Sequence, residues 1–168
     1  MESEGIPNIK IILMDVDGVL TDGKIYLGET EELKAFNVLD GMGISIAKRS
    51  GIKIGFLTGR ESKSVERRAK ELNCDFLYQN CKKKLQALNE ILQSEQIESS
   101  QVCYIGDDIN DIEVLRMVGF SATVNNAPRY VKEVVTYVSN LDSGKGAVRE
   151  IIEHILGNNR INELISEG

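Results

Sequence analysis

Six short apolar runs, "IKIILM", "IKIGFLT", "DFLYQN", "QVCYIG", "FSATV" and "TYVSN", recur along the chain, and helical patterns separate most of them. In 82–95, Leu85, Leu88 and Leu92 fall at helical spacing, and in 145–156 Val148, Ile151, Ile152, Ile155 and Leu156 do the same. Parallel strands can be joined only through a crossover, usually a helix, so this alternation restricts the chain to a parallel sheet with helices on both faces. The expected fold is α/β, a doubly wound, Rossmann-like sheet. One segment breaks the rhythm. Between Gly23 and Asp40, "KIYLGETEELKAFNVL" reads as two strands around a polar turn, a small β-hairpin over about 24–39 inserted after the first strand. Without repeats or a composition shift, 1–168 reads as one domain, large enough to bury roughly two thirds of its unfolded surface. Its polar tail, about 157–168, is a short helix candidate that either docks or frays.

Doubly wound folds collect ligands at the carboxyl ends of their strands, so the residues that follow each apolar run carry the chemistry. The first run delivers Asp15 and Asp17 in "DVDG", and the second delivers Thr58 and Gly59 in "LTGR". Lys84 opens the helix after the third, and the fourth delivers Asp107, Asp108 and Asp111 in "GDDIND". Carboxylates this close repel, and burying them is costly unless something positive compensates. Oxygen-only donors suit a hard cation such as Mg2+, with Asp15 and Asp107 as the carboxylates. The metal, Lys84, Thr58 and the backbone N–H groups of Gly18 and Gly59 would then make the site attractive to a phosphate. A carboxylate beside a phosphate held this way can attack phosphorus. A second one two residues on can protonate the departing oxygen and later deprotonate the attacking water.

Composition narrows the partners. The net charge of −6 has the wrong sign for a phosphate-backbone binder, so no nucleic acid is expected. No apolar run approaches the roughly 20 residues of a membrane span, and "MESEGIPN" is acidic and polar, unlike a signal peptide. No membrane partner is expected. Cys74, Cys81 and Cys103 are odd in number and lack C-x-x-C spacing, which points to core packing in a reducing, cytoplasmic setting.

The ordered set of D-x-D at Asp15 and Asp17, Thr58, Lys84 and the acidic pair resembles the haloacid dehalogenase superfamily. That resemblance implies Asp15 as nucleophile, Asp17 as general acid and base, and Thr58 and Lys84 as holders of the phosphoryl oxygens. It places Mg2+ between Asp15, the backbone carbonyl of Asp17, and Asp107, with Gly59, Asp108 and Asp111 in support. Larger members carry a cap domain, but only about 25 residues separate Thr58 from Lys84, so no cap domain is expected. Among capless members, "DVDGVLTDG", "KAFNVLDGMGI", "TGR", "VERRAKEL", "LYQN", "GDDIND" and "GKGAVREI" are similar to the 3-deoxy-D-manno-octulosonate 8-phosphate phosphatases of lipopolysaccharide precursor synthesis. This implies a homotetramer whose hairpins form a central barrel and whose subunits complete one another's sites, and a sugar-acid phosphate as the small-molecule substrate. On the matching positions Asn37, Val38, Leu39, Asp40 and Gly41, with Asp17, Arg60, Arg68 and Lys84, would form the substrate site. Arg60 and Arg68 suit a sugar-acid carboxylate. Leu39 and Ser45 stand where some members carry arginine, which leaves an eight-carbon or a nine-carbon acid open.

Plainer readings accompany several of these residues. A lone D-x-D is often a turn or a helix cap, and Arg60 and Arg68 lie in a charged helix whose side chains mostly face water. Gly144, Gly146 and Arg149 in "SGKGAVRE" either start a helix or shape the site mouth. His154 reads as a helix-flank residue. Two other functions share parts of the pattern. Response-regulator receivers place the acidic pair first and the acceptor mid-chain, the reverse of the order here, and degenerate tetramerisation modules tend to lose the acidic motifs that this chain keeps.

Overall fold

The computed structural model describes residues 5–6 and 8–167, so most of the polar stretch contrasted above with a signal peptide lies outside the described residues. All four residues of β1 (Ile11–Met14) are buried, and their alternation feeds two cores at once. Ile12 and Met14 join one cluster, whereas Ile11 and Leu13 join the other. A strand covered on both faces has no polar side, which is why this run is continuously apolar.

After β1 come β2 (Tyr26–Leu27), β3 (Glu32–Leu33), α1 (Val38–Arg49), β4 (Lys53–Leu57), α2 (Lys63–Glu71), β5 (Phe76–Tyr78) and α3 (Lys84–Glu95). The chain continues through β6 (Val102–Ile105), α4 (Ile112–Met117), β7 (Phe120–Thr123), α5 (Arg129–Lys132), β8 (Tyr137–Val138) and α6 (Ala147–Ser166). Six strands form one parallel sheet in the order β5-β4-β1-β6-β7-β8. The chain runs outward from β1 to β5, then returns to the other side of β1 at β6. The winding reverses there, and in open α/β sheets that crevice is where ligands bind. Ile44, Ala47, Val65, Ala69, Val148 and Ile152 cover one face from α1, α2 and α6. Leu88, Ile91, Val114 and Val131 cover the other from α3, α4 and α5.

The hairpin is shorter than the sequence suggests. Only Tyr26 pairs with Leu33 and Leu27 with Glu32, and Val38 and Leu39, read as the end of the second strand, already belong to α1. The cause is local: the Asn37 side chain accepts the Leu39 N–H at 2.8 Å, an N-cap that starts the helix early. At the other end of the chain, α6 passes a kink at Gly157 (φ 73°, ψ 162°), and the tail beyond it docks. Leu164 is buried, and Arg160 donates to Ser50 Oγ at 3.2 Å. Between β4 and α3 lie only α2 and β5, so among the described residues no cap domain covers the sheet edge.

Candidate active site

Asp15 continues β1 by one hydrogen bond, its N–H donating to the Ile105 carbonyl of β6 at 3.0 Å. Its carboxylate accepts the Val16 N–H at Oδ1 (2.7 Å) and faces the Lys84 ammonium at Oδ2 (2.9 Å). Lys84, the first residue of α3, is the inward-pointing lysine of its run, with a side chain 2% exposed, whereas Lys82 and Lys83 are exposed. Its second bond goes to Asp111 Oδ1 at 2.7 Å.

Asp111 is fully buried and already saturated. Oδ1 also accepts the Tyr104 hydroxyl at 2.5 Å, and Oδ2 accepts the N–H groups of Asp107 (3.0 Å) and Asp108 (3.3 Å). Asp111 therefore aims Lys84 and the Asp107 backbone. Asp107 in turn packs on the turn after β1. Gly18 sits at φ +83°, and a Cβ there would lie 2.1 Å from Asp107 Oδ2, so this position needs glycine for both its backbone angle and its space.

Asp15, Asp107 and Asp111 each offer an oxygen within 4.8 Å of the others. Burial pushes Asp15 up to about 6, against the opposing pull of Lys84. Burial also lifts Asp107 to about 7, reinforced by the like charges of Asp15, Asp111 and Asp108. Burial disfavours the Lys84 ammonium as well, but Asp15 and Asp111 outweigh it and raise its pKa. Three carboxylates against one ammonium leave a buried negative excess made only of hard oxygens, and that fits a divalent cation such as Mg2+. Since Asp111 has no spare oxygen lone pair aimed outward, Asp15 and Asp107 are the side chains suited to hold it.

Thr58 closes β4. It is buried, its N–H donates to the Tyr78 carbonyl at 2.9 Å, and Gly59 beside it faces open space. The Gly18 N–H, expected to be free for an anion, is instead directed at Thr21 Oγ1 (3.4 Å), because that hydroxyl also gathers the Gly23 N–H (3.2 Å) and closes the turn.

A second charged group lies on the side of Asp17. Its Oδ1 accepts from Lys34 Nζ at 2.5 Å, and the Lys34 side chain has no exposed surface. Glu32 of β3 lies 3.5 Å from the same ammonium through Oε1 and accepts from Arg60 at 2.9 Å through Oε2. Sequence reasoning missed Lys34 and Glu32. The signal that could have found them is the hairpin itself, whose insertion beside the first motif folds β3 back over it.

The contacts of the remaining predicted substrate residues run to groups outside the acidic cluster. Asn37 bridges the Leu39 N–H and the Gly144 carbonyl, while Val38 and Leu39 are exposed. Asp40 is 1% exposed and accepts the Arg149 N–H at 3.0 Å, capping the start of α6. Burial raises its pKa against the pull of those α6 N–H groups. A Cβ on Gly41 would meet the Arg68 guanidinium at 2.3 Å, and Arg68 also lies 5.7 Å over the Phe36 ring and pairs with Glu71 at 3.0 Å. Asp108 is exposed, accepting from Ile109 N–H and the Tyr130 hydroxyl. His154 stacks on Tyr137 at 4.2 Å.

Residues 77–152 match the family of haloacid dehalogenase-like hydrolases. The chain is 45% identical over 150 residues to the 3-deoxy-D-manno-octulosonate 8-phosphate phosphatase KdsC of Yersinia pestis, a match that covers 89% of this chain and 80% of the relative. Among solved structures it resembles the phosphatase of that name from Moraxella catarrhalis in complex with magnesium, phosphate and KDO. The TM-score is 0.91 at 40% identity, over 96% of this chain and 94% of that one. It also resembles the cobalt-bound Haemophilus influenzae enzyme, with a TM-score of 0.86 at 37% identity over 89% and 88% of the two chains. Sequence and structure therefore agree: the chain belongs to the haloacid dehalogenase-like hydrolases, within the family of the 3-deoxy-D-manno-octulosonate 8-phosphate phosphatases.

Proposed function

We propose that this protein hydrolyses a sugar-acid phosphate monoester, 3-deoxy-D-manno-octulosonate 8-phosphate, to the free sugar acid and inorganic phosphate. The observation that carries this reading is the Lys84 ammonium held between Asp15 and Asp111 at the strand ends, with Asp107 alongside. It sets the proposed carboxylate nucleophile next to a buried cation suited to meet a phosphoryl oxygen.

Asp15 attacks phosphorus, the bond from phosphorus to the sugar oxygen breaks, and that oxygen takes a proton from Asp17. Water then attacks the aspartyl phosphate, giving its proton to Asp17, and phosphate leaves as the Asp15 carboxylate is restored. Thr58 and Lys84 hold the phosphoryl oxygens through both steps, and Gly59 leaves room for them. Asp15 and Asp107, with the Asp17 carbonyl, would hold Mg2+, which when bound supplies positive charge to the phosphoryl group. Arg60 and Arg68 are the cations offered to the carboxylate at the far end of the sugar, with Asn37, Val38, Leu39, Asp40 and Gly41 shaping that wall.

The protein acts in the cytoplasm as a homotetramer. Tyr26, Leu27 and Leu33 of the hairpin and Val38, Leu39 and Met42 of α1 are exposed large apolar side chains, and the hairpin's strands are short, which supports burial against further copies. Covering the open site this way would exclude bulk water from the reaction.

The test is phosphate release from 3-deoxy-D-manno-octulosonate 8-phosphate, a nonulosonate 9-phosphate and a neutral hexose phosphate, each with EDTA and with Mg2+. The reading expects Mg2+-dependent turnover with the eight-carbon acid ahead. Preference for the nine-carbon acid would reassign the substrate, and full activity under chelation would remove the metal from the mechanism.

A further inference from the structure

The Lys34 ammonium, on a side chain without exposed surface, is a buried cation near the site that the mechanism leaves unused. Burying an ammonium is costly unless it is well paired, and its closest partner is Asp17 Oδ1 at 2.5 Å, from a residue 17 positions earlier in the chain. Its reach is fixed by the hairpin. Glu32 lies 3.5 Å from the ammonium and bonds Arg60 at 2.9 Å, and the Ser64 hydroxyl donates to the Glu32 main-chain carbonyl at 3.0 Å. Thus β3 is tied both to the loop after β4 and to α2, and Lys34 extends from that tied strand to the Asp17 carboxylate.

Asp17 itself lies in the turn that follows β1, partly exposed, where an unanchored aspartate would sample several staggered rotamers. Proton transfer to a leaving oxygen needs the donor within hydrogen-bond reach, so rotamer freedom at this residue translates into lost rate. Lys34 engages Oδ1 of the carboxylate, and Oδ2 is the oxygen left to carry the proton.

We infer that Lys34 is a positioning residue that fixes the Asp17 carboxylate on the leaving-group side of the site. The inference rests on the acid and base role proposed above for Asp17. It extends the hairpin's part from assembly to the chemistry of its own protomer.

The experiment compares the parent with Lys34→Met, Lys34→Arg and Asp17→Asn on two esters by rapid quench of the first turnover. One ester is 3-deoxy-D-manno-octulosonate 8-phosphate, whose alkoxide leaving group needs a proton. The other is p-nitrophenyl phosphate, whose phenolate does not. Lys34→Met is expected to slow the first turnover of the sugar ester by at least about tenfold, part of the roughly 10²- to 10⁴-fold that a general acid supplies. The p-nitrophenolate burst and inhibition by inorganic phosphate stay near parent values, and Lys34→Arg recovers most of the loss. Equal slowing of both esters would mean a merely structural role, and weaker phosphate binding with an unchanged first-turnover rate would mean a binding role. Either result overturns the inference. If Lys34→Met does not fold, Lys34→Gln, which keeps a donor without charge, takes its place. Asp17→Asn separates the two readings: if it spares the sugar ester, the acid role fails, and if it alone shows the selective loss, only the positioning role of Lys34 fails.

Discussion

Asp111 is the residue whose replacement should cost most for the least change in shape. Asp111→Asn keeps the volume but turns one of two acceptor atoms into an NH2 group, while four donors still converge on the side chain. Whichever way the amide turns, its nitrogen faces either Lys84 and Tyr104 or the N–H groups of Asp107 and Asp108. Lys84, 2% exposed, also loses one of its two carboxylates. Removing one partner of a buried charge pair typically costs about 3–5 kcal/mol. Because Asp15 remains 2.9 Å from the ammonium, the lower end, about 3 kcal/mol, is expected here. For a domain of this size that corresponds to a fall in melting temperature of roughly 6–12 °C. Turnover should drop by at least about a hundredfold, since Lys84 and the Asp107 backbone both lose their anchor. Calorimetry and steady-state phosphate release on the same preparation test both numbers. Tyr104→Phe is the control: it removes one donor, leaves the Lys84 bond, and should cost only about 1 kcal/mol with most activity kept. An Asp111→Asn protein within 1 kcal/mol of the parent and with parental turnover would refute the anchoring argument.

Gly18→Ala should weaken Mg2+ activation by at least about tenfold, read from activity against Mg2+ concentration, because a Cβ at φ +83° would displace Asp107 Oδ2 from 2.1 Å. In EDTA, stability should fall by about 2 kcal/mol between pH 5 and pH 7.5, since Asp107, near 7 when folded and near 3.8 when unfolded, keeps a proton that only the native state binds over that range. Thermal melts should show this slope in the parent and a flatter one in Asp107→Asn, and a rise in stability with pH would contradict it. Arg68→Ala should lower kcat/KM for the acidic sugar phosphate by about thirtyfold while sparing a neutral hexose phosphate. Equal losses on both substrates would leave Arg68 only its packing on Phe36 and Gly41.

Sequence reasoning reached the sheet because strands buried on both faces leave a continuous apolar imprint, and the acidic motifs because they follow those imprints directly. What it could not reach depends on contacts far apart in the chain. Asp40, read as a substrate residue at a helix start, also accepts an N–H of α6 109 positions away, and nothing local announces that contact. Lys34 sits in a hairpin rich in glutamate and lysine, where a solvated lysine is the ordinary expectation, and only the fold of β3 over the first motif buries it. The spacing of Asp111 from Asp107 marks it as part of the acidic set. That its oxygens are already occupied by four donors is a fact of three dimensions.

The two halves of the site differ in charge balance, and this difference separates their tasks. On the nucleophile side, Asp15, Asp107 and Asp111 face Lys84 alone, so burial pushes Asp15 and Asp107 toward protonation until a divalent cation joins them. With Asp15 raised only to about 6, its carboxylate is still mostly ionised at neutral pH, so under the proposed mechanism a divalent cation would chiefly offset the like charge that Asp107 adds. Around the Asp17 side chain, Asp17 and Glu32 face Lys34 and Arg60, an even match of carboxylates and cations. In the proposed cycle Asp17 gains and loses a proton, and Lys34 holds its carboxylate in place. The hairpin supplies two of those four charges, so under the proposed mechanism an element too small to be a cap stands beside the proton-transfer residue.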